Sequence, residues 1–218
     1  MSWTVRDTED NREAINSLRD AIKDALHEGI LLFCAAADTG AIGETEYPWS
    51  YDQNRIFRIG AATADGRVWS RTGDPHNLTF MVPGHRVVSR NPHREGALPD
   101  DFQERTGSSV ATALAAGLAA VVLHCVRLGA SHAEKETSRE RSVSRQDSER
   151  LKTPKNMRSV LSSIGLDDTQ QRFIEVWRRF ESPAQELKKP GVNSSDRAMD
   201  IVARLARDLI SGMPAGGK

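Results

Sequence analysis

Ser108 and Ser109 stand together in Thr106-Gly107-Ser108-Ser109-Val110-Ala111-Thr112-Ala113, at the head of an Ala-rich apolar run that continues to about Arg127. The run reads as a buried helix. The first turn of a helix carries free backbone amides and the positive end of the peptide dipoles. A serine hydroxyl there has two uses. It can cap the helix, the commoner role of serine at a helix start, or it can attack an acyl carbon whose developing oxyanion meets the free amides. Attack needs a base to take the hydroxyl proton. The six histidines, His27, His76, His85, His93, His124 and His132, read as surface or loop side chains. Asp38-Thr39-Gly40, after an apolar strand, spells the D-T-G of aspartic chemistry. That chemistry requires two carboxylates sharing a proton, and a second such motif is missing from the sequence.

The elements that must position these residues follow from apolar spacing. Ile15, Leu18, Ile22 and Leu26 recur at helical intervals with Ala21 and Ala25 beside them, and Gly29 stops the helix. Residues 30–37 form a continuous apolar run of strand length, the pattern of a strand covered on both faces of a parallel sheet. A second strand is predicted over 56–62, with an Asp65-Gly66 turn before Val68-Trp69-Ser70, and a third over 78–84 ending in Pro83-Gly84. Small residues at Ala111, Ala115, Gly117 and Ala119 let the Ser109 helix lie close to that sheet. Residues 131–152 are crowded with charge and read as a solvated linker or a frayed helical extension. Helical patterns follow over 155–164, 169–180 and 195–213, the last with an apolar stripe at Met199, Ile201, Val202, Leu205, Leu209 and Ile210. The fold class is α/β: a parallel sheet flanked by helices, with a small helical tail.

The segment Gly107-Ser108-Ser109-Val110-Ala111-Thr112-Ala113, followed by Ala116-Gly117, resembles the nucleophile motif G-T-S-x-A-[ST]-P-x-x-[AS]-G of the subtilisin-like serine proteases. Four further segments agree in order. Residues 31–40 resemble the family's strand ending in A-A-G-N-x-G; Tyr47-Pro48 and 56–62 resemble its Y-P-A segment and V-I-x-V-G-A strand. Residues 78–84 resemble its D-V-x-A-P-G turn, and Met1-Ser2-Trp3 its N-M-S-[LW]-G edge strand, which pairs with substrate by β-augmentation. The resemblance implies Ser109 as nucleophile and Asp38 at the place of the oxyanion-hole Asn. It implies Ser2, Trp3, Thr4, Ala36 and Ala37 as substrate-binding residues. Ser108 replaces Thr and Ala113 replaces Pro. Asp38 as a carboxylate would donate only if protonated, a variant similar to one branch of the proprotein convertases. Thr4, where the family has Gly, would narrow the P1 site.

The resemblance covers the C-terminal half of the family's domain. Its H-G-[ST] motif does not occur here, so the expected domain is truncated on its N-terminal side. The expected organisation is a subtilisin-like part over 1–130, a charged linker over 131–152 and a helical tail over 153–218. The implied function is endopeptidase action on peptide or protein substrates through an acyl-enzyme on Ser109, with little activity in the chain alone. The alternative is a non-catalytic remnant acting as a binding module.

Composition excludes several other classes. With 30 basic and 30 acidic residues the formal net charge is zero, so nothing draws the chain to nucleic acid or to an anionic membrane. Charges throughout the first thirty residues exclude the apolar core of a signal peptide. Residues 110–126 fall short of a membrane span and read as a buried helix. Cys34 and Cys125 sit in apolar runs and make no disulfide framework, which favours a reducing, cytoplasmic setting. No metal-ligand spacing emerges and no cofactor is expected. Trp3, Trp49, Trp69 and Trp177 read as packing, and Asp100, Asp101, Asp167 and Asp168 as loop or cap residues. Arg139, Arg141, Arg145 and Arg150 alternate with acids and read as a solvated face.

Overall fold

The computed structural model describes residues 1–40, 45–90, 102–134, 143–165, 172–189 and 195–214. Its elements in chain order are β1 (Val5–Arg6), α1 (Arg12–His27), β2 (Leu32–Ala35), β3 (Glu46–Tyr47), β4 (Ile56–Ala62), β5 (Phe80–Pro83), β6 (Val87–Arg90), β7 (Phe102–Arg105), α2 (Ser108–Ala133), α3 (Arg145–Leu151), α4 (Pro154–Ser163), α5 (Trp177–Leu187) and α6 (Ser195–Ile210). The chain divides into two units. The first holds Met1–Asp24, Leu32–Ala115 and Gln171–Phe173, and the second the remainder.

The predicted parallel sheet is the centre of the first unit, with strands in the order β2-β4-β5. Leu32 pairs with Ile56 at one end and Ala62 with Pro83 at the other. Every residue of β4 is buried, as a strand with neighbours on both edges and cover on both faces must be. Phe33, Phe57 and Phe80 stack across the three strands, with centroids 4.6 Å and then 6.3 Å apart. A Cβ on Gly84 would stand 2.7 Å from Ala61 Cβ and 3.0 Å from Ala111 Cβ, so β4, the turn after β5 and the start of α2 meet at hydrogen-for-side-chain distance. Ala111 and Ala115 have the predicted use and are buried at this contact, whereas Gly117 is exposed and a Cβ there would meet nothing within 4 Å.

Two short antiparallel ribbons complete this unit. β1 pairs with β3, Val5 opposite Tyr47, and β6 pairs with β7, Val87 opposite Arg105. β7 runs directly into the turn before α2. The segment after 171 is extended, although its apolar spacing suggested a helix over 169–180. Phe173 is buried and bridges to Met81, the Met81 amide donates to the Arg172 carbonyl at 2.8 Å, and Arg172 adopts φ 53. Pairing with the sheet overrides local helical preference there, and the helix starts only at Trp177. Residues 166–171 lie outside the described part.

The second unit is helical. A Cβ on Gly129 of α2 would stand 2.7 Å from Ala206 Cβ of α6, which brings the two backbones close. Val122, Val126, Ala130, Met157, Val160, Leu161, Ala206 and Leu209 are buried. The charged stretch read as a linker holds the last turn of α2 through Ala133 and all of α3. The start of α3 is a capping box in which the Ser144 hydroxyl accepts the Asp147 amide and Asp147 accepts the Ser144 amide. Thr153 caps α4, whose first residue is Pro154. By length and composition alone α2 would be long and apolar enough to cross a membrane, but one side of it is packed inside the protein.

Candidate active site

The site is built where parallel strands end and a helix begins, the place α/β sheets gather ligands. Beyond β2 the chain continues through Ala36 and Ala37, both buried, to the half-buried Asp38. The Ala36 amide donates to the Ile59 carbonyl at 2.8 Å, and the Ala37 carbonyl accepts from the Gly73 amide at 3.0 Å. These bonds fix where Asp38 leaves the sheet. From the other side, the Gly107 amide donates to the Gly84 carbonyl at 2.7 Å, which ties the start of α2 to the turn after β5.

Gly107 is the cap residue and has φ 143, a conformation side chains rarely adopt. Its carbonyl accepts from Val110 at 3.0 Å and Ala111 at 3.3 Å. A helix leaves its first amides free, and here the Ser108 amide is taken by Asp38 Oδ2 at 2.8 Å. The Ser108 hydroxyl donates to Asp38 Oδ1 at 2.6 Å and accepts the Ala61 amide at 3.1 Å. Ser108 is fully buried. Ser109 is exposed, and neither its hydroxyl nor its amide has a protein partner among the described residues.

Of the predicted site residues, the structure brings Ser109 and Asp38 together through Gly107 and Ser108. Thr4 donates from Oγ1 to the Tyr47 carbonyl at 3.1 Å, and Ser2 and Trp3 are exposed. The regular edge strand lies at Val5–Arg6, later than Met1-Ser2-Trp3, but the Met1 carbonyl accepts the Ala35 amide at 3.2 Å and so lies along β2. The sequence marks Ser108 as a capping serine, and that pattern does not reveal a partner 70 positions away.

Other candidate chemistries place their groups elsewhere. His85 stacks on Trp69 with centroids 5.7 Å apart, and His132 Nε2 lies 2.9 Å from Asp200 Oδ1. His27 faces Glu28 at 3.8 Å, while His93 lies outside the described residues. Among the described residues no imidazole hydrogen-bonds Ser109. Burial pushes the Cys34 thiol up to about 12 against the opposing charge of Arg58, so this cysteine stays a protonated core residue near neutral pH.

Comparison with known proteins bears on the family and the fold. The profile described as the subtilase family matches residues 1–162. The major intracellular serine protease of Bacillus subtilis (strain 168) is 23% identical over 112 residues, 50% of this chain and 33% of that protein. The prenylagaramide maturation protease PagA superposes with a TM-score of 0.50 at 18% identity, covering 76% of this chain and 55% of that one. An alanine mutant of the protease domain of PatA gives 0.51 at 18% identity, over 75% and 52%. A lanthipeptide protease gives 0.54 at 13% identity, over 84% and 60%. At such identities the likeness to the solved structures is one of fold. The chain spans 33% of the curated relative's length and between 52% and 60% of these structures.

Proposed function

The chain belongs to the subtilase family, and on that premise we propose that Ser109 is the nucleophile of a peptide-bond hydrolase acting on peptide or protein substrates. The observation that carries this reading is the contrast between neighbours: Ser108 is buried and hydrogen-bonded through its amide and hydroxyl, whereas Ser109 presents an exposed hydroxyl beside an amide that has no partner among the described residues. In this reading Ser109 Oγ attacks the scissile carbonyl carbon, and the Ser109 amide donates to the oxygen that becomes negative. Collapse expels the amine and leaves an acyl-enzyme, which water then hydrolyses. Ser2, Trp3 and Thr4 form the edge along which the substrate backbone pairs, with Ala36 and Ala37 flanking its side chain.

The proton of Ser109 needs an acceptor, and no described imidazole touches it. Loss of the base from a serine triad costs about 10⁶ in rate, so the chain by itself hydrolyses little. Chemical rescue tests the reading. Added imidazole should accelerate phosphonylation of Ser109 by a fluorophosphonate by about tenfold or more, with Ser109→Ala as the blank. An imidazole effect equal to that on the urea-unfolded chain would mean that the fold does not prepare Ser109 for attack.

A second reading has one observation in its favour. Both Asp38 carboxylate oxygens accept from Ser108, which leaves this side chain no role as oxyanion donor. The edge at Ser2 and Trp3 would then bind extended peptide without cleaving it, and saturable peptide binding that survives Ser109→Ala without any labelling would identify that case.

A further inference from the structure

Three chain segments are tied together at one hydroxyl. Asp38, after β2, accepts the Ser108 hydroxyl at 2.6 Å; Ala61, in β4, donates its amide to the same oxygen at 3.1 Å; and Ser108 is the first residue of α2. The Ser108 amide adds a second bond to Asp38 at 2.8 Å. Capping a helix is ordinarily local, through a side chain at the residue before its first turn. That residue here is Gly107, which has no side chain, and a Cβ built on it would lie 3.2 Å from both Asp38 Oδ2 and Ser109 Oγ. The cap therefore comes from a distant segment, and the space a local cap would fill separates the carboxylate from the Ser109 hydroxyl.

We propose that Asp38 is a positioning residue: by holding Ser108 through its amide and hydroxyl, it fixes the Gly107–Ser109 turn in the orientation that exposes Ser109. This role rests on Ser109 being the nucleophile. Both Asp38 oxygens already accept from Ser108, so this side chain is committed to holding the turn and takes no part in stabilising an oxyanion. A carboxamide at this place combines one acceptor with a donor. In this chain the holding is done by Asp38, and the donating is left to the Ser109 amide. A buried Ser108 amide without an acceptor would be an unsatisfied group, and the turn would rotate to bring it to water.

The test reads the hold and the reactivity separately in the full chain. Amide hydrogen exchange at residue 108 is followed by NMR, alongside imidazole-assisted phosphonylation of Ser109. Asp38→Leu, similar in size but without an acceptor, should speed exchange at residue 108 by about tenfold or more and slow phosphonylation in parallel. Asp38→Asn should restore protection, because its carbonyl still accepts, and should phosphonylate at least as fast as the parent, because its amide can now donate. Unchanged exchange in Asp38→Leu, or equally fast exchange in Asp38→Asn and Asp38→Leu, overturns the proposal. Should Asp38→Leu fail to fold, Ser108→Thr must keep the protection that Ser108→Ala loses, and equal exchange in that pair overturns it instead. If no variant is phosphonylated, parent included, the nucleophile assignment has failed, while exchange at residue 108 still decides whether Asp38 holds the turn.

Discussion

Glu46 and Arg58 form an ion pair sealed from solvent, with Glu46 Oε2 2.6 Å from Arg58 Nη2 and side-chain exposures of 4% and 7%. Arg58 lies in the middle of the most buried strand of the sheet, its guanidinium 4.7 Å from the centre of the Trp49 ring and its Nε without a partner among the described residues. Removing one member of such a pair strands the other charge, so Glu46→Gln and Arg58→Met should each destabilise by about 3 to 5 kcal/mol, and the double replacement by much less. Urea unfolding of the three variants measures the coupling directly, and additive losses would contradict a buried pair.

Cys34, paired in register with Arg58, supplies a pH prediction. Burial holds its thiol neutral up to about 12 against an ordinary value of 9.0. Unfolded chain therefore loses this proton before folded chain does. Between pH 9.0 and about 12 the unfolded state binds fewer protons, so stability contributed by the neutral thiol is present in full below pH 9.0 and falls as pH rises through this window. Cys34→Ala should flatten the slope in that range. In the native protein at pH 8, Cys34 should resist a disulfide reagent that modifies it at once in urea.

The parts of this fold legible in the sequence are those with a long uniform signal. Continuous apolar runs located β2, β4 and β5, and the alanines of α2 announced its close approach to them. Ribbons two to four residues long carry too little period to be read, which is why β3, β6 and β7 emerge only in the structure. Arg172 and Phe173 lie in an extended segment because the edge of β5 offers a hydrogen-bond partner, information that no local window contains. Asp38 and Ser108 fail for the same reason on a larger scale. Each looks like a loop or capping residue, and their bond exists only because the sheet brings a strand end to a helix start.

Gly84 tests how tightly that meeting is made. Its absent Cβ would fall 2.7 Å from Ala61 Cβ and 3.0 Å from Ala111 Cβ. Gly84→Ala should destabilise by about 1 to 3 kcal/mol through overpacking. Because the Gly84 carbonyl also receives the Gly107 amide, phosphonylation of Ser109 should drop in this variant more than in Gly117→Ala, where a Cβ meets nothing within 4 Å. Equal behaviour of the two alanine variants would show that α2 is not anchored by this contact.

Gly107 carries the sharpest constraint, since a side chain there is opposed twice over. Its φ of 143 is unfavourable for any residue with a Cβ, and that Cβ would stand 3.2 Å from both Asp38 Oδ2 and Ser109 Oγ. Strain of this kind costs about 1 to 3 kcal/mol, and the chain can relieve it only by turning the Gly107–Ser109 segment away from Asp38. Gly107→Ala should therefore lower the urea midpoint, speed amide exchange at residue 108 and suppress imidazole-assisted phosphonylation of Ser109 in the fraction that remains folded. Gly29→Ala separates the two causes. Gly29 also has positive φ, 71, but nothing lies within 4 Å of its Cβ position, so the variant should lose stability without losing reactivity at Ser109. Matching losses of stability and reactivity in both variants would mean that backbone strain alone, not contact with Asp38 and Ser109, limits position 107.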